Sequence, residues 1–139
     1  MDLSDYLQVY ARKNHIKKTD VAYRSGITLN YLYKIFGGLK RTKQRDYIIA
    51  ICRAMGMGVP EAQVALTLNE MKVLSPNDPR DWIIMKGFSR GQSVHTLNMN
   101  LEDQGFNELK VRCDISFFPA KEILEHGLLD IVSSEGKEE

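Results

Sequence analysis

The run from Lys18 to Gly38 constrains this chain more than any other stretch. It holds Val21-Ala22, a glycine four positions after the alanine, then Ile27, Leu32, Ile35 and Gly37-Gly38. Two short helices that cross closely need a small residue inside the first, and Ala22 is one. A sharp turn between them needs a residue that tolerates left-handed backbone, and Gly26 supplies it. The first helix is read as Lys18–Ser25 and the second as Leu29–Phe36, with Thr28 as a good N-cap. Leu32, Ile35 and Phe36 then face inward, and the glycine pair stops the helix. Each residue alone is common; the joint spacing is specific.

The flanks supply helices for this pair to pack on. Leu3, Tyr6, Leu7, Tyr10 and Ala11 recur at three- and four-residue spacing, which predicts an amphipathic helix over residues 3–14. Asp2 or Ser4 can cap it. A fourth helix is expected over about Gln44–Met55, with Tyr47, Ile48, Ile51 and Met55 on one side. Gly56 and Gly58 break it, and Pro60 with Glu61 suits the first turn of a fifth. The apolar positions of that helix are Ala62, Val64, Ala65, Leu68 and Met71. The turn Ser75-Pro76-Asn77-Asp78-Pro79 is the expected boundary.

Beyond the boundary, Arg80–Phe88 reads as a short helix around Trp82, Ile83 and Ile84. Residues 93–103 fit a helix through Val94, Leu97 and Leu101, and a strand through Leu97, Met99 and Leu101; helix is the reading taken. Leu109, Val111, Cys113, Ile115 and Phe117 alternate with polar residues, which predicts a strand over Leu109–Phe118. Ala120–Val132 reads as a last helix, and Ser133–Glu139 as a disordered polar tail. Met71, Trp82, Met85, Phe88 and Met99 could line a small-molecule pocket, although such a stripe is more often core. The expected fold class is therefore mainly α, with one period-two segment as a β-strand. The expected organisation is a domain over 1–74, a helical extension over 75–132 and a tail over 133–139.

Charge separates the halves. Residues 1–58 hold 11 Lys/Arg against 4 Asp/Glu, and residues 59–139 hold 8 against 14. A basic half in a chain of net charge +1 points to a polyanionic partner. No apolar run approaches the roughly 18 residues that span a bilayer, so no membrane partner is expected. Cys52 and Cys113 form no Cys-x-x-Cys pair and are read as buried thiols in a reducing cytoplasm. His15, His95 and His126 lack metal-ligand spacing, and neither a glycine-rich phosphate loop nor a nucleophile elbow is present. No enzyme, metal or cofactor is expected.

The segment Ile16–Gly38 resembles the helix-turn-helix of the lambda-repressor-like family, also called the Cro-type or XRE family. The resemblance covers about residues 3–68, including the Ile48-Ile49-Ala50-Ile51-Cys52 core and the Met55-Gly56 end. It implies a five-helix DNA-binding bundle followed by a smaller extension, in a sequence-specific transcriptional regulator, a repressor by preference. It implies double-stranded DNA as partner, with the second helix of the pair in the major groove. Thr28, Leu29, Asn30, Tyr33 and Lys34 are then the base-reading candidates. Lys17, Lys18, Tyr31, Lys40, Arg41, Lys43 and Arg45 are the phosphate candidates. Many family members carry glutamine where this chain has Lys18, so no relative's sequence preference transfers.

The stretch from Pro79 through Leu97-Asn98 resembles helical extensions that follow this domain in some regulators, and it implies no ligand. Such regulators bind as homodimers on two half-sites. The strand over Leu109–Phe118 is the expected joint, in competition with a hairpin onto residues 95–101 of the same chain. The alternative function is a protein-interaction adaptor or an antitoxin built on the same bundle.

Overall fold

The computed structural model describes residues 1–109. They form α1 (Leu3–Lys13), α2 (Lys18–Ser25), α3 (Leu29–Phe36), α4 (Arg45–Ala54), α5 (Val59–Leu68), α6 (Pro79–Ser89) and α7 (Val94–Asp103). The molecule is mainly helical, with no strand among the described residues. Nor is any helix there long and apolar enough to cross a membrane. The expected strand residues Val111, Cys113, Ile115 and Phe117, the helix over 120–132 and the tail lie outside the described residues. Residues 94–103 are α7, which removes the competing hairpin onto residues 95–101.

Local chemistry explains the helix starts. Asp2 accepts from the Asp5 amide, Thr28 from Tyr31, and Ser93 from Thr96. Asp78 accepts from the Arg80 and Asp81 amides at 2.9 and 3.0 Å. Those backbone bonds, Asp81's first, hold its carboxyl below the usual carboxylate range. Pro60 and Pro79 occupy first turns, where the missing N–H has no partner to lose. Gly26 ends α2 with φ +81° and donates its amide to the Ala22 carbonyl at 3.0 Å.

One buried cluster runs through the whole described chain. Leu7, Val21, Ile27, Leu32, Phe36, Ile48, Ile51 and Leu66 meet there, and Ile84, Phe88, Leu97 and Leu101 belong to the same cluster. Helix α4 lies against α2, α5 and α7, and α6 lies against α5 and α7. The core thus continues across the turn at residues 75–79. The α6–α7 crossing is close because Gly87 lacks a side chain: a Cβ there would stand 2.6 Å from Leu97 Cδ1.

Three expectations about packing need correction. Val64 was expected inward but is exposed, because α5 buries Ala62, Ala65 and Leu66 and Val64 falls between those positions. The same helix stops at Leu68, short of Met71, where Asn69 and Glu70 turn the chain and Glu70 takes φ +57°. The stripe of Met71, Trp82, Met85, Phe88 and Met99 is not one surface: Phe88 is buried, while Trp82 and Met99 are 45% and 51% exposed.

Cys52 sits inside α4 with no exposed surface, as a buried thiol was expected to. Burial pushes that thiol up to about 12. The unfolded chain ionises it first, near the ordinary thiol value of 9.0. Its contribution to stability is therefore full below about pH 9 and is lost as the pH rises toward 12. An alkylating reagent at pH 8 is expected to modify Cys52 no faster than the protein unfolds, as mass mapping of this cysteine under native and denaturing conditions would reveal. Rapid native modification would contradict the burial.

Candidate nucleic-acid interface

Helices α2 and α3 form a pair joined by Gly26, Ile27 and Thr28. The turn is fixed from within: the Ile27 amide donates to Ser25 Oγ at 3.1 Å, and Ile27 is fully buried. The far end of α3 is tied to α1. Ser4 Oγ donates to the Phe36 carbonyl at 2.5 Å, and Gln8 Nε2 donates to the same oxygen. Beyond it the Leu39 and Lys40 amides both donate to the Lys34 carbonyl, at 2.9 and 3.1 Å, around Gly38 at φ +75°. Both ends of α3 are therefore anchored by other elements, and its outer face is held at a fixed height.

That face carries Asn30, Tyr33 and Lys34, all exposed, with Tyr33 at 50%. Thr28 and Leu29, expected outward, are buried. Thr28 is occupied as the N-cap, and Leu29 joins Leu32 and Phe36 on the inner stripe. Of the five base-reading candidates, Asn30, Tyr33 and Lys34 are the ones exposed on this face.

The cations divide sharply. Arg45 donates to both oxygens of Asp81, at 3.1 and 2.8 Å, and also to the Lys72 and Val73 carbonyls. It ties α4 to α6, so this phosphate candidate is already engaged within the chain. Arg41 is also engaged: it donates to Asn69 Oδ1 and the Asn69 carbonyl and pairs with Glu70 at 3.2 Å, on a more exposed surface. By contrast Lys17, Lys18, Lys34, Lys40 and Lys43 make no ion pair among the described residues. Lys18 Nζ lies 5.2 Å from the Phe36 ring, and Lys40 Nζ lies 5.7 Å from the Tyr31 ring. Arginine's planar fork suits a fixed carboxylate, whereas lysine is a mobile point charge.

Between α3 and the first turn of α4 runs a groove of about 520 Å³, lined by Asn30, Tyr31, Lys34, Lys40, Gln44 and Tyr47 among others. Tyr31 and Tyr47 meet edge to face, with ring centroids 5.3 Å apart. Sequence reasoning missed two of these residues. Tyr47 read as an inward position, and Gln44 read only as a helix start. The available signal was that Gln44 directly follows a basic loop that leads out of α3. No protein-family model matches the chain, and comparisons with curated proteins and with solved structures give no match. Among the described residues, no group of three or more His, Cys, Asp or Glu is placed to hold a metal ion.

Proposed function

We propose that this chain binds double-stranded DNA through α2 and α3, as a sequence-specific transcriptional regulator of the lambda-repressor-like type. On this reading α1–α5 are the five-helix bundle and α3 enters the major groove. The observation that carries it is the outer face of α3: Asn30, Tyr33 and Lys34 are exposed on a helix fixed at both ends, and the lysines flanking it make no ion pair among the described residues. Asn30 can pair with an adenine edge, and Lys34 can donate to guanine. Lys17, Lys18, Lys40 and Lys43 meet phosphates on either side, and the α2 amides add to them because Lys17 offers no side-chain cap. Repression and dimerisation on paired half-sites belong to the same proposal.

Selection of duplex fragments from a random pool tests it directly. The wild-type chain is expected to enrich one motif. Asn30→Ala and Lys34→Ala are each expected to cost about 1–3 kcal/mol on that motif and much less on random DNA. Neutralising Lys40 and Lys43 together is expected to weaken binding to every sequence alike. It should also lower the salt slope by about 0.9 for each phosphate that is no longer neutralised. A pool that enriches nothing would end the proposal. Equal losses on motif and random DNA for the α3 variants would leave DNA binding but remove the sequence reading.

A further inference from the structure

The two neighbours Arg45-Asp46 on α4 face the two neighbours Arg80-Asp81 on α6 in crossed register. Arg45 holds Asp81 with both terminal nitrogens, and Arg80 holds both oxygens of Asp46 at 3.2 and 3.1 Å. Each guanidinium then uses its remaining donors on backbone. Arg45 takes the Lys72 and Val73 carbonyls, and Arg80 takes the Asn107 and Glu108 carbonyls at 3.0 and 3.1 Å. Asp81 also accepts from the Ser75 amide at 3.1 Å and is 3% exposed. These contacts bind the first turn of α4 to the 72–75 segment, to α6 and to the chain after α7.

What this turn carries is the irregular loop of residues 40–44, with Lys40 and Lys43 on it. The middle of the loop is tied to the end of α5, where Arg41 donates to Asn69 Oδ1 and the Asn69 carbonyl and pairs with Glu70. Thr42 Oγ1 accepts from the Gln44 amide, and the Thr42 carbonyl accepts from Asn69. Its forward end, with Lys40, is set by α3 and its middle by Asn69, which leaves the rear end, with Lys43, to Arg45. A cation on a loop with a loose end must be ordered on binding, and that ordering subtracts from affinity.

We propose that Arg80 and Asp81, which lie outside the helix-turn-helix, are positioning residues for DNA binding: through Asp46 and Arg45 they hold the rear end of the lysine-bearing loop, with Lys43, beside α3. The inference rests on the DNA-binding reading and extends it, because it makes the α6 start part of the binding apparatus. Contact with DNA is left to the lysines and to α3.

The test uses the full chain with the selected duplex and a random-sequence duplex, well below the melting temperature. Asp81→Asn keeps the shape and removes the charge; Arg80→Gln is a second variant at a more exposed site. Each is expected to lower affinity for both duplexes alike, by about fivefold to tenfold, with a shallower salt dependence and an unchanged preference between them. Amide hydrogen exchange at residues 43–46 should speed up in both, while exchange in α3 should not. Leu101→Ala in the α7 core serves as the control: it should lower the melting temperature and leave affinity unchanged. If both variants exchange and bind like wild type, or if affinity falls equally in the control, the positioning role is overturned. If wild type binds neither duplex, the DNA-binding reading itself fails, which the exchange data would separate from a failure of the ion pairs to hold the loop.

Discussion

Arg45→Ala is expected to cost about 3–5 kcal/mol of stability, the range for removing one partner of a buried ion pair. The loss falls mainly on what stays behind. Asp81 would lose its guanidinium partner in a site where it is 3% exposed, with the Ser75 amide left beside it. Asp81→Ala should cost less, because the Arg45 side chain retains 24% exposure and keeps the Lys72 and Val73 carbonyls. Removing both should cost less than the sum of the single losses, since neither charge is then stranded. Denaturant unfolding of the four proteins checks this as a double-mutant cycle. A loss under about 1 kcal/mol for Arg45→Ala would mean that the pair behaves as an exposed surface bridge.

The second large effect is expected at the α2–α3 turn. Gly26 holds φ +81°, a conformation that costs an ordinary L residue about 1–2 kcal/mol and a β-branched one more. Gly26→Val should therefore lower the melting temperature clearly. Gly56→Ala is a useful comparison: Gly56 has φ +83° and open space around its Cβ position, so it reports backbone strain alone. Ala22→Leu acts by a different route. Ala22 is 1% exposed on the helix that crosses both α3 and α4, and added methylenes in such a crossing cost about 1–3 kcal/mol. Thermal unfolding followed by helical circular dichroism measures all three. Wild-type melting for both Gly26→Val and Ala22→Leu would contradict the close crossing.

Much of this fold is written locally. The bounds of α2 and α3 follow from a small residue, a turn glycine, a threonine cap and a glycine stop, all within about twenty residues of one another. The ambiguous residues 93–103 resolve to a helix because Ser93 caps them and Val94, Leu97 and Leu101 share one buried stripe. Leu29 was legible too: its three- and seven-residue spacing to Leu32 and Phe36 places it inside, and the outward expectation came from the family resemblance instead. Arg45 was not legible. Beside Lys40, Arg41 and Lys43 it looks like one more cation for phosphate, and its carboxylate partner stands 36 residues away. Asn69 was missed for the same reason. It is a polar residue with 3% exposure that joins Arg41 and the Thr42 carbonyl, and those bonds exist only once α5 has docked. Periodicity finds faces; it does not find which charges meet.

The continuous core has a consequence for modularity. Ile84, Phe88, Leu97 and Leu101 share one buried cluster with Val21, Ile48 and Ile51. A cut after residue 74 would therefore strip apolar cover from α2 and α4 and remove the carboxylate that Arg45 holds at the same time. The helix pair is not a cassette that can be lifted out and grafted elsewhere. The smallest unit able to carry it intact reaches past α7 to the segment whose carbonyls Arg80 grips.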